Sequence, residues 1–292
     1  MSSASGLVIV DKPAGITSHD VVSRMRRLAG TRKVGHAGTL DPMATGVLVL
    51  GVNRATRLLG HLTLTEKAYD ATIRLGSSTT TDDADGEIVA ITPTGDLDHA
   101  RIRLALAAFV GDIQQVPTAV SAIKLEGKRA YQRVRDGEDV QLQARPVTIH
   151  ELQVHDVRTS CEGIDVDISV RCSSGTYIRA IARDLGAELG VGGHLSALRR
   201  TAVGPFGLDE ARTLEQLSDE LVMLPIAEAA RAGFPSRDLG EAQAGDVRHG
   251  RQIDADLAGL TALFSPDGEF LALYEPTDVH GHGTTRAVAV FV

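Results

Sequence analysis

The chain of 292 residues is poor in the residues that build cofactor sites and disulfide frameworks. It has no tryptophan, four tyrosines and two cysteines, and aromatic residues make up 3% of the sequence. Cys161 and Cys172 have neither the spacing of a zinc or redox motif nor the number that a disulfide framework needs. No apolar run is long enough to span a bilayer, and the N-terminal segment lacks the features of a signal peptide. We therefore expect a cytoplasmic protein with no membrane partner.

Signals for nucleotide and acyl-transfer chemistry are also missing. No phosphate loop or dinucleotide fingerprint follows a predicted strand, because the glycine-rich residues 190–193 follow a predicted helix instead. The serines show no nucleophile elbow. If the protein is an enzyme, we expect it to use no cofactor and no metal. A carboxylate helped by its neighbours would carry the chemistry.

The net charge of −8 argues against a polyanionic partner, but the charge is unevenly distributed. Residues 20–35 contain five cations and one acid, and residues 121–135 contain another five cations and one acid. Separated basic clusters of this kind can attract a nucleic acid despite a negative total. Each cluster alone is equally compatible with an ordinary solvated helix face.

The most informative segment is Gly35–Gly51, with the sequence GHAGTLDPMATGVLVLG. It places Asp41 in a glycine-rich loop directly before the apolar run 47–50, which predicts a strand buried on both faces. Pro42 pushes Asp41 toward an extended or turn conformation. An acid held in this way suits a nucleophile or a general base, and it equally suits a structural turn.

Periodicity predicts the elements around this loop. A helix with Thr17 or Ser18 as N-cap follows the first strand, and alternation predicts strands over 67–76 and 165–172. Ser173 or Ser174 is expected to cap a helix that carries Arg179 in its first turn. An arginine there opposes the helix dipole, so we expect it to have an acidic partner outside the helix.

Six segments, in this order, closely resemble the bacterial TruB family, the tRNA pseudouridine synthases that modify the T-loop uridine. They are DKPAGITS (11–18), GHAGTLDPMATGVL (35–48), KAYDATIRLG (67–76), DADG (83–86), SSGTYIRAIARDLG (173–186) and ALRRTAVGPF (197–206). The resemblance implies an α+β fold with a mixed sheet flanked by helices. It implies a catalytic domain over 1–232, with a thumb-like RNA-binding insertion at 111–145. The tail, 233–292, resembles a small β-rich RNA-binding domain of the PUA type.

Carried over by position, the resemblance implies that Asp41 is the catalytic aspartate, that Tyr69 stacks on the flipped base and that Arg179 pairs with Asp41. The implied substrate contacts are His36, Tyr177, Leu198, Lys128, Arg129 and Arg133. The implied partner is the T-arm stem-loop of tRNA, with no obligatory protein partner. The thumb departs from the family at Pro117-Thr118 and Val120, where the family has two prolines and a tyrosine.

Other readings stay open at this point. The protein could isomerise uridine in another RNA, or it could be an RNA chaperone that binds tRNA without chemistry. A glycosidase would need a second positioned acid, and the sequence places neither Asp83 nor Asp184 clearly for that role. It also leaves open whether Asp41 attacks C1′ or removes the 2′-hydrogen.

Overall fold

The fold is described from a computed structural model. It covers residues 4–95, 97–119, 124–125, 128–129, 142–277 and 283–292, with only the backbone at 124–125 and 128–129. The helices of these residues are α1 Ser18–Leu28, α2 Leu59–Thr63, α3 His99–Ala107, α4 Ile178–Leu189, α5 Leu214–Asp219, α6 Ile226–Gly233 and α7 Glu241–Arg248. Short 3-10 turns lie at Asn53–Leu58 and Leu208–Glu210. None of the helices in the described part of the chain is long and apolar enough to cross a membrane.

The strands of the described residues follow in chain order. They are β1 Gly6–Lys12, β2 Val34–His36, β3 Thr45–Val52, β4 Lys67–Leu75, β5 Ser77–Thr79, β6 Ile88–Ile91, β7 Gly111–Gln115, β8 Lys124–Leu125, β9 Lys128–Arg129, β10 Arg145–Ser160, β11 Gly163–Cys172, β12 Gly193–Val203, β13 Phe206–Gly207, β14 Leu224–Pro225, β15 Ser236–Asp238, β16 Ile253–Asp254, β17 Thr261–Phe264, β18 Phe270–Pro276 and β19 Thr284–Val290.

A mixed ten-stranded sheet forms the larger part of the described molecule. Its order is β14-β1-β3-β12-β4-β11-β10-β7, with β2 paired to β3 and β13 paired to β12. The only parallel pairing in this sheet, within the described residues, joins β3 to β12. A second sheet, in the order β15-β17-β18-β19-β16, contains residues 236–290 and confirms the predicted β-rich tail. The mixed α+β class is therefore confirmed.

Strands β1 and β3 are buried on both faces, as the apolar run 47–50 predicts. One face, which includes Leu48 and Leu50, packs into a core with helices α1, α3 and α4. The other face, which includes Val47 and Val49, packs against α6 and residues of the second sheet. Asp41 therefore lies in a loop that leads into one of the most constrained strands of the molecule.

Local signals are partly right. Thr17 caps α1, and its side chain and that of Asp20 form a reciprocal capping box. The predicted serine cap of α4 is wrong, because Tyr177 is the N-cap residue and makes no side-chain cap bond. Ser173 instead accepts a hydrogen bond from the Thr148 amide, and Ser174 donates one to the carbonyl of Thr63.

The segment Gly111–Gln115 belongs to the main sheet. These five residues, which begin the predicted thumb-like insertion over 111–145, form strand β7 of the main sheet. Its antiparallel partner is β10, with Gln115 opposite Arg145.

Candidate active site

The loop that carries Asp41 is held by side chains from two other elements. Lys12, at the end of β1, is fully buried and donates hydrogen bonds to the carbonyls of Pro13 (2.9 Å), Ile16 (2.9 Å) and Pro42 (3.2 Å). Ser18, in α1, donates to the Leu40 carbonyl and accepts from the Leu40 amide, at 2.9 and 2.8 Å. These contacts fix the backbone on both sides of the carboxylate.

Arg200, on β12, also binds the loop that carries Asp41. This β12 side chain is 2% exposed and donates to the carbonyls of Val47 (2.7 Å), Thr39 (3.2 Å) and Gly38 (3.2 Å). Gly46 lies directly against its backbone in the parallel β3–β12 pairing. A planar guanidinium can satisfy several diverging carbonyls at once, which an ammonium group cannot do with the same geometry.

Two carboxylates bind Arg179. Its Nε lies 3.0 Å from Oδ2 of Asp41, and its Nη1 lies 3.1 Å from Oδ2 of Asp83. Nη1 also donates to the Thr81 carbonyl at 2.9 Å. Arg179 and Asp83 are each 5% exposed, whereas Asp41 retains 33% exposure within the cavity that it lines. Arg179 therefore has the acidic partner that its position in the helix predicts, together with a second one.

The electrostatic balance at Asp41 differs from the simple expectation that a neighbouring arginine lowers its pKa. Burial raises the pKa of Asp41 above its ordinary value, because the protein replaces most of the water around the carboxylate. The positive charge of Arg179 opposes this effect, and the negative charge of Asp83 adds to it. The pKa of Asp41 is therefore raised, although it is paired with a cation.

A cavity of about 290 Å³ opens beside this cluster. Tyr69 of β4, Leu198 of β12 and Tyr177 at the start of α4 contribute to its wall. The backbone of Tyr177 is fixed by Gln115, whose side chain accepts from the Tyr177 amide (2.8 Å) and donates to its carbonyl (3.0 Å). Burial raises the pKa of the Tyr69 phenol, so the hydroxyl group stays protonated at neutral pH.

The structure brings together five of the residues that sequence analysis singled out. These are Asp41, Tyr69, Tyr177, Arg179 and Leu198. His36 lies on β2 and is not among the residues that line this cavity. Lys128 and Arg129 are described only as backbone, in a two-residue strand paired with β8, and Arg133 lies outside the described residues.

Sequence reasoning did not find Asp83, Gln115, Lys67 or Arg200 as parts of the site. Asp83 lies in the DADG segment, so its motif was visible, but its contact with Arg179 depends on packing across the fold. Gln115 was assigned to the insertion. The two cations are pocket residues because of strand register, which places Arg200 opposite Tyr69.

Models of three protein families match the chain. The TruB family pseudouridylate synthase N-terminal domain matches residues 26–178, and the tRNA pseudouridylate synthase B C-terminal domain matches residues 179–229. The tRNA pseudouridine synthase II C-terminal model matches residues 234–292.

Curated relatives are similar over nearly the whole chain. A tRNA pseudouridine synthase B of Arthrobacter sp. is 62% identical over 281 residues, covering 92% of each chain. One of Thermobifida fusca is 57% identical over 293 residues, covering 99% of each. Among solved structures, a chain of a Cbf5-Nop10-Gar1 complex is 28% identical with a TM-score of 0.74, covering 98% of this chain and 83% of that chain. A chain of an H/ACA RNP bound to a substrate RNA containing 2'-deoxyuridine is 27% identical with a TM-score of 0.72, at the same coverage.

The fold and these matches define the class of the protein as a pseudouridine synthase, an isomerase. Within that class, the chain belongs to the TruB family.

Proposed function

We propose that the protein isomerises a uridine in the T-loop of tRNA to pseudouridine, with Asp41 as the catalytic carboxylate. The observation that carries this proposal is the Asp41–Arg179–Asp83 cluster at the wall of a cavity of about 290 Å³. The relatives named tRNA pseudouridine synthase B support tRNA as the substrate. Localisation in the cytoplasm remains part of the proposal.

The reaction needs one well-placed carboxylate. The bond between N1 of the base and C1′ breaks, the base turns, C5 bonds to C1′ and the C5 proton leaves. Asp41 either attacks C1′ or removes the 2′-hydrogen, and each route requires its ionised form. Arg179 orients the carboxylate through the 3.0 Å contact and opposes the increase in its pKa that burial causes.

The target nucleotide has to leave its stack to reach Asp41, which costs a few kcal/mol. We assign the stacking surface to Tyr69 and the rest of the base pocket to Tyr177 and Leu198, all of which line the cavity. His36, outside the cavity lining, is assigned to the space that the flipped nucleotide vacates in the RNA.

The RNA-binding roles follow from charge and organisation along the chain. We assign phosphate contacts to Lys128, Arg129 and Arg133 in the thumb-like insertion over 111–145, whose first residues form β7. The division into a catalytic domain over 1–232 and a PUA-like domain over 233–292 is also part of the proposal. Its support is the separate five-stranded sheet of residues 236–290.

An Asp41→Asn variant tests the catalytic assignment. Asparagine keeps the size of the side chain but removes the charge and the nucleophilic oxygen, so pseudouridine formation should fall below detection. Affinity for tRNA should persist, because phosphate contacts do not depend on that carboxylate. Single-turnover pseudouridine mapping and filter binding on one preparation measure both quantities.

Asp70→Asn, an exposed change on β4, is the matched control and should behave like the wild type. Substantial turnover by Asp41→Asn would refute the catalytic role. Pseudouridine found by the wild type only in another RNA would favour the alternative substrate. Binding without any product would favour a chaperone.

A further inference from the structure

The ion cluster around Arg179 leaves the reacting base without a spare positive charge. Arg179 carries one positive charge and contacts both Asp41 and Asp83, so the three side chains are net negative when both acids are ionised. In the proposed reaction, the base takes the electron pair of the N1–C1′ bond and becomes an anion. By then Asp41 has lost its charge, because it is bonded to C1′ or carries the 2′-proton, and the charge of Arg179 is balanced by that of Asp83. The countercharge for the base anion in a partly desolvated pocket therefore has to come from elsewhere.

Two further cations line the same cavity. Lys67 starts β4 and is 7% exposed, and Arg200 of β12 is 2% exposed. The antiparallel pairing of β4 and β12 places Arg200 opposite Tyr69, two positions along β4 from Lys67. Both side chains are therefore on the strand pair that forms the wall behind the proposed stacking surface.

These two cations are held by neutral groups. Lys67 donates to the carbonyls of Thr63 and Thr65, and Arg200 donates to the three carbonyls of the Asp41 loop and of β3. Among the described residues, neither has a carboxylate within ion-pairing distance, although the charge of Arg200 acts on Asp41 from further away. Their charges are therefore not neutralised by a bonded acid.

A buried cation without a paired carboxylate is expensive to fold around. The cost is visible at Lys67, whose pKa is lowered to about 8, first by burial and then by the charge of Arg200. Such a charge, fixed before the reaction begins, is most useful where negative charge develops during the reaction, because no solvent has to reorganise.

We propose that Lys67 and Arg200, the cationic wall, stabilise the base as it leaves C1′ with the bonding electron pair. This inference rests on the proposed function. The charge passes from N1 into the ring and its two carbonyl oxygens. C1′ is then either bonded to Asp41 or doubly bonded to C2′ after the 2′-hydrogen has gone to Asp41. The anion is consumed when C5 bonds to C1′. On the first route the C1′–O bond to Asp41 breaks in that step, and on the second the proton returns from Asp41 to C2′. The C5 proton is then lost to solvent.

The test compares two substrates whose bases differ in how readily they leave C1′. Lys67→Gln removes the charge and keeps a hydrogen-bond donor for the Thr63 and Thr65 carbonyls. Single-turnover rates are measured on tRNA with uridine at the target position and on tRNA with 5-fluorouridine there, whose base leaves more readily because fluorine withdraws electrons. The readout is loss of the N1-linked nucleoside, since fluorine blocks the final proton loss.

We expect Lys67→Gln to slow the reaction of the uridine substrate about a hundred- to thousandfold, which is the scale of losing one preorganised electrostatic contact. The factor by which Lys67→Gln lowers the rate on the 5-fluorouridine substrate should be several times smaller, and tRNA affinity should be unchanged. Lys67→Arg, which keeps the charge, should recover most of the rate on uridine. Arg74→Gln, on the outer face of the same strand where Arg74 pairs with Asp165, should have no effect.

If Lys67→Gln lowers the rate by the same factor on both substrates, the proposal is overturned. A purely structural defect would slow both reactions equally, because it does not depend on which base leaves. An unchanged rate on uridine would also overturn it. Thermal unfolding checks that each variant is folded, and Lys67→Met replaces Lys67→Gln if the latter does not fold. If the wild type forms no pseudouridine in tRNA, the proposed function itself fails, which is a separate outcome.

Discussion

Arg179 lies in the first turn of α4, where a positive charge opposes the helix dipole. That mismatch alone predicts an acid outside the helix, and Asp41 is that acid. Residue-level reasoning could not predict the second partner, Asp83, because the DADG segment reaches Arg179 only through the assembled fold. It also could not predict that burial outweighs the arginine and raises the pKa of Asp41, since burial is a property of the whole pocket.

An Asp83→Asn variant should separate the effect of Asp83 on the pKa of Asp41 from its contact with Arg179. In the proposed function Asp41 reacts in its ionised form, so the rate should fall as the pH drops through its raised pKa. The negative charge of Asp83 is one cause of that increase, so its removal should move the acidic limb of the pH–rate profile to lower pH. The plateau rate should fall about tenfold or more, because Arg179 loses a buried partner.

Single-turnover rates across a pH series measure both changes. Asp82→Asn is the matched control, because Asp82 contacts Arg183, at 3.5 Å, and asparagine tolerates its positive φ of 61°. An acidic limb that stays in place in Asp83→Asn would show that Asp83 does not act on Asp41 electrostatically.

At the scale of elements, regular alternation made β4 and β11 predictable. Two elements, β7 and α7, were not predicted, and for the same reason. Their sequences are polar, and it is packing that stabilises them. Strand β7 has the sequence GDIQQ, and helix α7 has the sequence EAQAGDVR, so neither shows a long apolar stripe. Both form because neighbouring strands supply the burial, which a local pattern does not contain.

The junction of β3 and β12 is the element contact on which the Asp41 loop depends most directly. Gly46 has φ of 99°, and a Cβ atom there would lie 2.2 Å from the Arg200 carbonyl oxygen. Gly46→Ala should therefore push the parallel pair apart and displace Asp41. Gly15→Ala is a matched control, since Gly15 also has positive φ, 83°, but open space around it.

We expect Gly46→Ala to lower the free energy of unfolding by about 1–3 kcal/mol more than Gly15→Ala does, which is the usual cost of overpacking. Urea denaturation measures the difference. If the two variants lower the free energy of unfolding equally, β3 and β12 accommodate the added methyl group without strain.

The thumb-like insertion is the element for which only charge supports a role. Replacing Lys128, Arg129 and Arg133 with alanine should weaken tRNA binding and reduce the salt slope of the affinity by about 2, because fewer phosphates are neutralised. Turnover at saturating tRNA should change much less. Arg158→Ala, a surface arginine already paired with Asp156 and Asp167, serves as the control in the same salt series. An unchanged slope in the triple variant would remove the insertion from the RNA contacts.

At the scale of the whole molecule, the family resemblance predicted a β-rich tail over 233–292, and the second sheet confirms that a β-rich unit is present. The structure also shows how the tail packs against the main sheet. The core that covers the outer face of β1 and β3 includes Phe264, Phe270 and Phe291 from the tail. Arg54 donates to the Phe291 carbonyl at 2.7 Å, and the Arg57 guanidinium lies 5.1 Å from the Phe291 ring centre.

This shared core predicts that the stability of the tail and that of the Asp41 strand are coupled. Phe291 is 2% exposed, so Phe291→Ala should lower the free energy of unfolding by about 3–5 kcal/mol through the cavity that it leaves. Amide hydrogen exchange should then quicken in β1 and β3 as well as in the second sheet, because both sides of the core lose the same contacts. Val292→Ala, at the neighbouring residue, which is 46% exposed, should leave exchange unchanged. Faster exchange confined to residues 236–292 would show that the tail is an independent unit. In that case, the packing against Val47 and Val49 contributes little to holding the strand that follows Asp41.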